Sequence, residues 1–301
     1  MNTSLSLPPL PYDQWVDTKD TLHLFLQMIG KVRMAAHPKL NHWWHVTLYP
    51  DTRGLTTHRI PYGDRAFEIF FDMVDHTVEI TTNDGGRESF SVPGKSVAGF
   101  HTALFGALDA LGIAVRIVAK PYDNKSTVPF AKDTADRAYD HDAVTTFWRA
   151  LCAIGSVFEV YRTRFVGKQT PVQLYWHSFD LVSTRFSGEA APLESGRQSD
   201  IEAYSHQNIS TGFWPGDDAY PHPAFYGYAY PEPAGLMETP LMPDAARWIT
   251  RNGGALAVLD YDDLRKLDDP REALLGFLQS VYDGGCRTAG WDHPSLVHGY
   301  A

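Results

Sequence analysis

The four residues Asn83-Asp84-Gly85-Gly86 sit between two short segments of alternating side chains. An Asp-Gly dipeptide in that setting supplies the positive-φ turn that joins neighbouring strands antiparallel and in register. The strand before it is expected from Val74 or Asp75 to Thr82, the strand after it from Glu88 to Val92, and another from about Ala66 to Asp72. Strands so close in sequence have no room for crossover helices, so the sheet they build is antiparallel. The glycines serve this turn and not a phosphate.

Helices flank that run. Trp15, Leu22, Leu26, Ile29 and Val32 recur at helical spacing and predict a helix from Asp13 to about Ala36, stopped by His37-Pro38. Ser96 is placed to cap a second helix that ends at Gly112. A polar, irregular stretch from 120 to 142 follows, and then the order begins again. A long helix is expected from Ala143 to Phe165, with Phe147, Leu151, Ile154, Phe158 and Tyr161 on one stripe. A strand is expected over 171–188, then a long insertion, the strands AFYGYAYP and ALAVLD, and a last helix REALLGFLQSVYD.

Strands in runs between helices predict an α+β fold, with a mainly antiparallel sheet and packed helices in each of two halves. The expected boundaries are 1–119 for an N-terminal half, 120–142 for a connector and 143–301 for a C-terminal half carrying an aromatic loop insertion. Trp44-His45 and Thr52-Arg53 recur at the same separation as Trp176-His177 and Thr184-Arg185, which raises the possibility of an internal duplication.

Composition narrows the function classes. The 301 residues carry 26 basic and 36 acidic side chains, a net charge of −10, which disfavours a broad nucleic-acid footprint or an anionic membrane partner. Two distant cysteines, Cys152 and Cys286, give no disulfide framework or metal-binding pair. The opening residues lack the basic and apolar regions of a secretory signal, and no uninterrupted apolar run reaches eighteen residues, so a cytoplasmic location is expected. The Asn-x-Ser matches at Asn2 and Asn208 then carry no glycan. Motifs for a nucleotide loop, a dinucleotide fold, a zincin helix or a serine-hydrolase elbow do not occur.

The candidate site residues come from strand parity and from spacing. If 41–49 is extended, Trp43, His45, Thr47 and Tyr49 share one face, and His45 becomes a pocket residue beside an aromatic wall. In 171–188 the same parity sets His177 and Arg185 on one face and Asp180 on the other, where a carboxylate among apolar neighbours requires a partner. Glu202 and His206 stand four apart, one helical turn if the segment is helical, and either carboxylate with His206 offers an acid/base pair. The stretch from Glu202 to Gly216 reads as a site loop containing Trp214. In AFYGYAYP the residues Tyr226, Tyr228 and Tyr230 share a face that suits a ligand wall, a subunit interface or a half-buried sheet surface. A metal site from His45, His177, His206 and Glu202 has no supporting spacing, so no metal is expected, and no cofactor is identified.

Across NHWWHVTLY, RGLTT, TRFSG, AYSHQN, GFWPG and AFYGYAYPEP the chain resembles an uncharacterised bacterial family of domains of unknown function. The likeness runs from LPYDQWVDT to the last helix and implies no activity, substrate or cofactor. The residues themselves suggest a small-molecule site where the halves meet, with histidine and carboxylate acid/base chemistry. The alternative is a binding protein without catalysis, or one that forms homo-oligomers through the tyrosine-rich strand.

Overall fold

The computed structural model describes residues 5–297, so the match at Asn2 lies outside the described residues. Helices α1 to α7 span Tyr12–Ala36, Val97–Ala110, His141–Thr163, Gln198–Ala203, Tyr261–Leu264, Pro270–Thr288 and His293–Leu296. Strands β1 to β6 span Tyr49–Pro50, Gly54–Thr56, Ile60–Tyr62, Arg65–Asp72, Thr77–Thr82 and Arg87–Ser91. Strands β7 to β12 span Gln173–Tyr175, Asp180–Ala190, His206–Trp214, Ala224–Tyr230, Arg247–Arg251 and Gly254–Asp260. The fold is α+β, and its paired strands are antiparallel. Tertiary contacts divide it into an N-terminal unit, Asp13–Arg149 with Leu174–Phe179, and a C-terminal unit, Met1–Tyr12, Ala150–Gln173 and Asp180–Ala301.

In the N-terminal unit the strands lie in the order β1-β2-β4-β5-β6, with β3 also on β4. The Asp-Gly turn joins β5 to β6 as expected: Gly85 has φ 93°, and Thr82 and Gly86 close the turn through a backbone bond of 2.9 Å. Ser96 caps α2 by accepting from the Gly99 amide at 3.1 Å. Phe100 of α2 packs between Phe25 of α1, at 4.3 Å between ring centres, and Phe71 of β4, at 6.5 Å, so the helices close over an aromatic core. The polar stretch after α2 is irregular but anchored, since Phe130 within it is fully buried.

α1 also holds the short segment 174–179. The His23 ring nitrogen Nε2 meets the Trp176 carbonyl at 2.9 Å, and its ring stacks on Phe179 at 5.0 Å. The Trp176 indole fills the space beside Gly30, where a Cβ would come within 2.0 Å of Cδ1. A helix-interior glycine costs about 1 kcal/mol against alanine, and here it makes room for a buried ring.

In the C-terminal unit β11-β12-β10-β9-β8 follow one another across the sheet. Asp269 caps α6 through the Glu272 amide at 3.1 Å, with Pro270 in the first turn. The apolar stripe of α6, including Leu274, Phe277, Leu278 and Val281, is buried. Val281 lies over Gly227 of β10, and Gly285 meets Ile209 of β9, so small residues set the helix close to the sheet. α3 matches a membrane span by length and composition. Its buried Phe147, Leu151, Ile154 and Phe158 against exposed Arg149 and Glu159 are the pattern of an amphipathic core helix.

Three expected elements differ. Residues 41–49 do not form a strand: Asn41–Trp43 is a 3-10 turn, and β1 begins only at Tyr49. His42 and Trp43 have φ of 52° and 60°, which breaks the two-residue alternation, so His42 and His45 are both buried. The strand expected over 171–188 is cut by a turn ending at Phe179, φ 62°, into β7 and β8. The stretch taken for a loop up to Gly216 is mostly β9, because alternate Ile209, Thr211 and Phe213 bury against the α6 side of the sheet. Asn208 is buried within it. Trp44-His45 and Trp176-His177 both lie in turns, whereas Arg53 lies outside any strand and Arg185 within β8, so those identities do not mark equivalent places.

Two outcomes test this packing. Gly30→Ala, which on helix propensity alone would stabilise, is expected to lower the melting temperature by roughly 3–10 °C, because overpacking a buried ring costs about 1–3 kcal/mol or more. A melt at or above that of the parent protein would show that Trp176 does not occupy that space. The second concerns His23, whose pKa falls to about 4 through burial first and the nearby Lys19 charge second. The unfolded imidazole takes up a proton below about pH 6.5 while the folded one stays neutral, so its contribution is complete above that pH and lost as pH falls towards 4, by up to about 3 kcal/mol. A proton NMR titration should find a His23 midpoint near pH 4, and a midpoint near 6.5 would contradict the burial.

Candidate functional site

Strand register sorts the side chains of the C-terminal sheet. Tyr226 pairs with Gly212, Tyr228 with Ser210 and Tyr230 with Asn208. On β8, Val182 pairs with Gly212 and Thr184 with Ser210, so Asp180 and Thr184 share the tyrosine face while Arg185 takes the other. Val258 pairs with Tyr226, and Arg247 with Val258, which extends the same face onto β12 and β11.

On this face a hydrogen-bonding array forms. The Tyr226 hydroxyl donates to Asp180 Oδ2 in a short contact, and both residues are buried. Burial, with the Asp180 charge next, pushes the Tyr226 phenol well above its usual pKa, so it remains a donor. Tyr228 and Tyr204 share a hydroxyl contact at 3.1 Å, and Thr184 and Ser210 another at 2.8 Å. The Tyr226 and Tyr228 rings lie 7° from parallel with centres 6.3 Å apart. Tyr226 lies so close over β9 that a Cβ on Gly212 would stand 2.5 Å from its Cζ.

Trp214 closes one end. Its ring centre is 5.4 Å from both Tyr226 and Tyr220, with the Arg251 guanidinium 5.5 Å from it. Arg251 in turn pairs with Asp217 at 2.5 Å. The Tyr220 hydroxyl donates to Asp260 at 2.5 Å and accepts from Arg247 at 2.7 Å, and burial followed by the Asp260 bond pushes its pKa up to about 12. The Trp214 side chain is only 9% exposed, and its indole N–H has no hydrogen-bond partner among the described residues. A buried donor left without an acceptor costs about 1–3 kcal/mol.

The structure brings together Asp180, Trp214, Tyr226 and Tyr228 from the sequence candidates and adds Tyr204, Thr184 and Ser210, which spacing did not reveal. Tyr230 packs on Tyr204 with ring centres 4.8 Å apart, and with Gln207, Asn208, Glu232 and Trp291 it also lines a cavity of about 180 Å³ at the end of the strand. Glu202 and His206 do not share a helical turn: α4 ends at Ala203 and His206 starts β9, with its Nδ1 3.0 Å from the Ser205 hydroxyl. Glu202 accepts from Gln198 at 2.7 Å. His206 is also no acid/base partner for Asp180, because Ala190 faces His206 while Leu181 faces Phe213. Eight residues of strand separate His206 from Trp214, roughly 26 Å.

Arg185 is a correction of a different kind. It is fully buried on the α6 side with its guanidinium carbon 3.6 Å from the Tyr161 ring centre, 4.5 Å from Tyr282 and 5.1 Å from Phe165, and it donates to the Tyr161 carbonyl at 2.5 Å. That aromatic cage makes it a core residue, with no reach to the tyrosine face. In the N-terminal unit, Trp43 and His45 are in ring contact at 5.1 Å, and His177 stands in the turn after β7 with its carbonyl 3.2 Å from His23 Nε2. Among the described residues no group of three or more His, Cys, Asp or Glu side chains comes together to hold a metal.

Comparison with known proteins adds one relationship. A family model described as a family of unknown function, DUF5996, matches residues 7–298. Neither the curated proteins nor the solved structures contain a match to the chain.

The Tyr226 to Asp180 contact is open to direct measurement. Tyr226→Phe takes a donor from a buried carboxylate and is expected to cost about 1–3 kcal/mol of stability, whereas Tyr228→Phe, in a half-buried position, should cost clearly less. Urea unfolding of the two variants reads the difference, and equal small losses would show that the Asp180 contact carries no weight.

Proposed function

The chain belongs to the DUF5996 family, whose description assigns no activity, and from that starting point we propose that it binds a small polar molecule on the tyrosine face of its C-terminal sheet. The observation that carries this reading is the buried Trp214 indole N–H, without an acceptor among the described residues, beside the Tyr226 and Asp180 pair. A ligand there would accept from Trp214, stack on aromatic rings and meet Asp180, Tyr228 or the Thr184 and Ser210 hydroxyls, the mix of apolar walls and few directed polar groups typical of such sites. It would carry both an acceptor and a donor, since Asp180 accepts and Trp214 only donates.

Binding is favoured over acid/base catalysis. A tyrosine held protonated beside a carboxylate orients and discriminates. The experiment is metabolite retention: the purified chain is equilibrated with a cell extract, and retained compounds are identified by mass spectrometry. Trp214→Phe keeps the ring and removes the donor, so retention of the bound compound should fall at least tenfold while the melting temperature stays close to that of the parent protein. Retention by Trp214→Phe and Tyr226→Phe equal to that of the parent protein would overturn the assignment of this face.

A further inference from the structure

A second, independent feature lies in the N-terminal unit. Arg33 stands in the last turn of α1, only 3% exposed. Its Nη1 donates to the Thr57 carbonyl, its Nη2 makes a long contact of 3.4 Å with the Tyr49 hydroxyl, and its Nε has no partner among the described residues. The guanidinium carbon is 5.2 Å from the Tyr49 ring centre. Tyr49 favours the charged form of Arg33, and among the described residues no carboxylate pairs with it. A buried guanidinium is ordinarily paired, because desolvating the charge without a counter-charge is expensive. One tyrosine face and the carbonyl end of α1 offset part of that cost.

The neighbouring imidazoles supply no counter-charge. His37, His45 and His58 each have a pKa lowered by burial and then in part by the Arg33 charge, and Lys39 acts on His45 as well. His45 Nδ1 accepts from the Leu40 amide at 3.2 Å, which leaves its Nε2 carrying the hydrogen. His58 stacks on Tyr49 with ring centres 4.0 Å apart and planes 3° from parallel. Glu68 and Asp51 act on His58 alone of this group, Glu68 accepting from Thr56 and Asp51 from Thr52.

We propose that Arg33, His45 and His58 form an anion site that takes an anionic oxygen group, a carboxylate or a phosphate. The Nε and Nη2 edge of the guanidinium, with one nitrogen unpartnered and the other only weakly engaged, matches two oxygens of such a group side by side. The imidazole N–H groups supply further donors.

The test is thermal unfolding of the full chain at constant ionic strength, with sodium chloride replaced stepwise by sodium phosphate in one series and sodium acetate in another. At least one anion should raise the melting temperature saturably, and the stronger of the two identifies the group the site is built for. Arg33→Lys, which keeps the charge but loses the planar edge, should weaken the apparent affinity at least tenfold. His58→Ala, at an exposed position stacked on Tyr49, should weaken it several-fold, with the shift read against that variant's own melt in chloride. Arg33→Met should abolish the response; should it fail to fold, the other two variants decide. No saturable response to either anion, or an unchanged response in Arg33→Lys and His58→Ala, overturns the site.

Discussion

One missing side chain organises the C-terminal sheet. Gly212 faces Tyr226 across β9 and β10, and only hydrogen there lets the phenol ring lie against the neighbouring strand. Lying so, the ring carries its hydroxyl to Asp180 at the start of β8 and leaves one flank for Trp214. Any Cβ at that position would lift the ring and break the contact with the carboxylate. The reverse face repeats the device: Gly227, beside Tyr226 in sequence, leaves room for Val281 of α6. The site face and the core face of β10 therefore both depend on glycines at positions fixed by register.

Two buried arginines show how differently one residue type is accommodated. Arg185 sits on three aromatic rings inside a helix-to-sheet core. Its surroundings are rings and a carbonyl, a set that holds the guanidinium by its face. Arg33 has one ring, one carbonyl and three imidazoles, a set that adds positive charge on protonation and does not compensate it. That contrast in neighbours is why the first is read as structural and the second as a place for an anion.

The two candidate sites ask for different chemistry. On the tyrosine face the polar groups are a carboxylate, hydroxyls and an indole N–H, so both donors and acceptors are offered in a largely apolar setting. Around Arg33 the unpartnered group is a guanidinium N–H, a donor that calls for an anionic acceptor.

Local sequence determined the elements whose signals are short-range. The Asp-Gly hairpin, the Ser96 cap, the apolar stripes of α1, α3 and α6 and the alternation of Tyr226, Tyr228 and Tyr230 all follow from contacts within a few residues, and the structure has them where the pattern put them. Parity within β8 also separated Asp180 from Arg185 correctly, because a strand's two-residue repeat survives wherever the strand is unbroken. What tertiary structure decided was which segments stay extended and who meets whom. The aromatic, β-branched run 41–49 turns instead of extending, with positive φ at His42 and Trp43 that no propensity anticipates. Asp180 finds its donor 46 residues away in Tyr226, and Arg33 finds Thr57 24 residues away, pairings set by strand register and helix packing. Alternation names the face a side chain will take; only the fold, by bringing distant segments into register, names the partner it meets there.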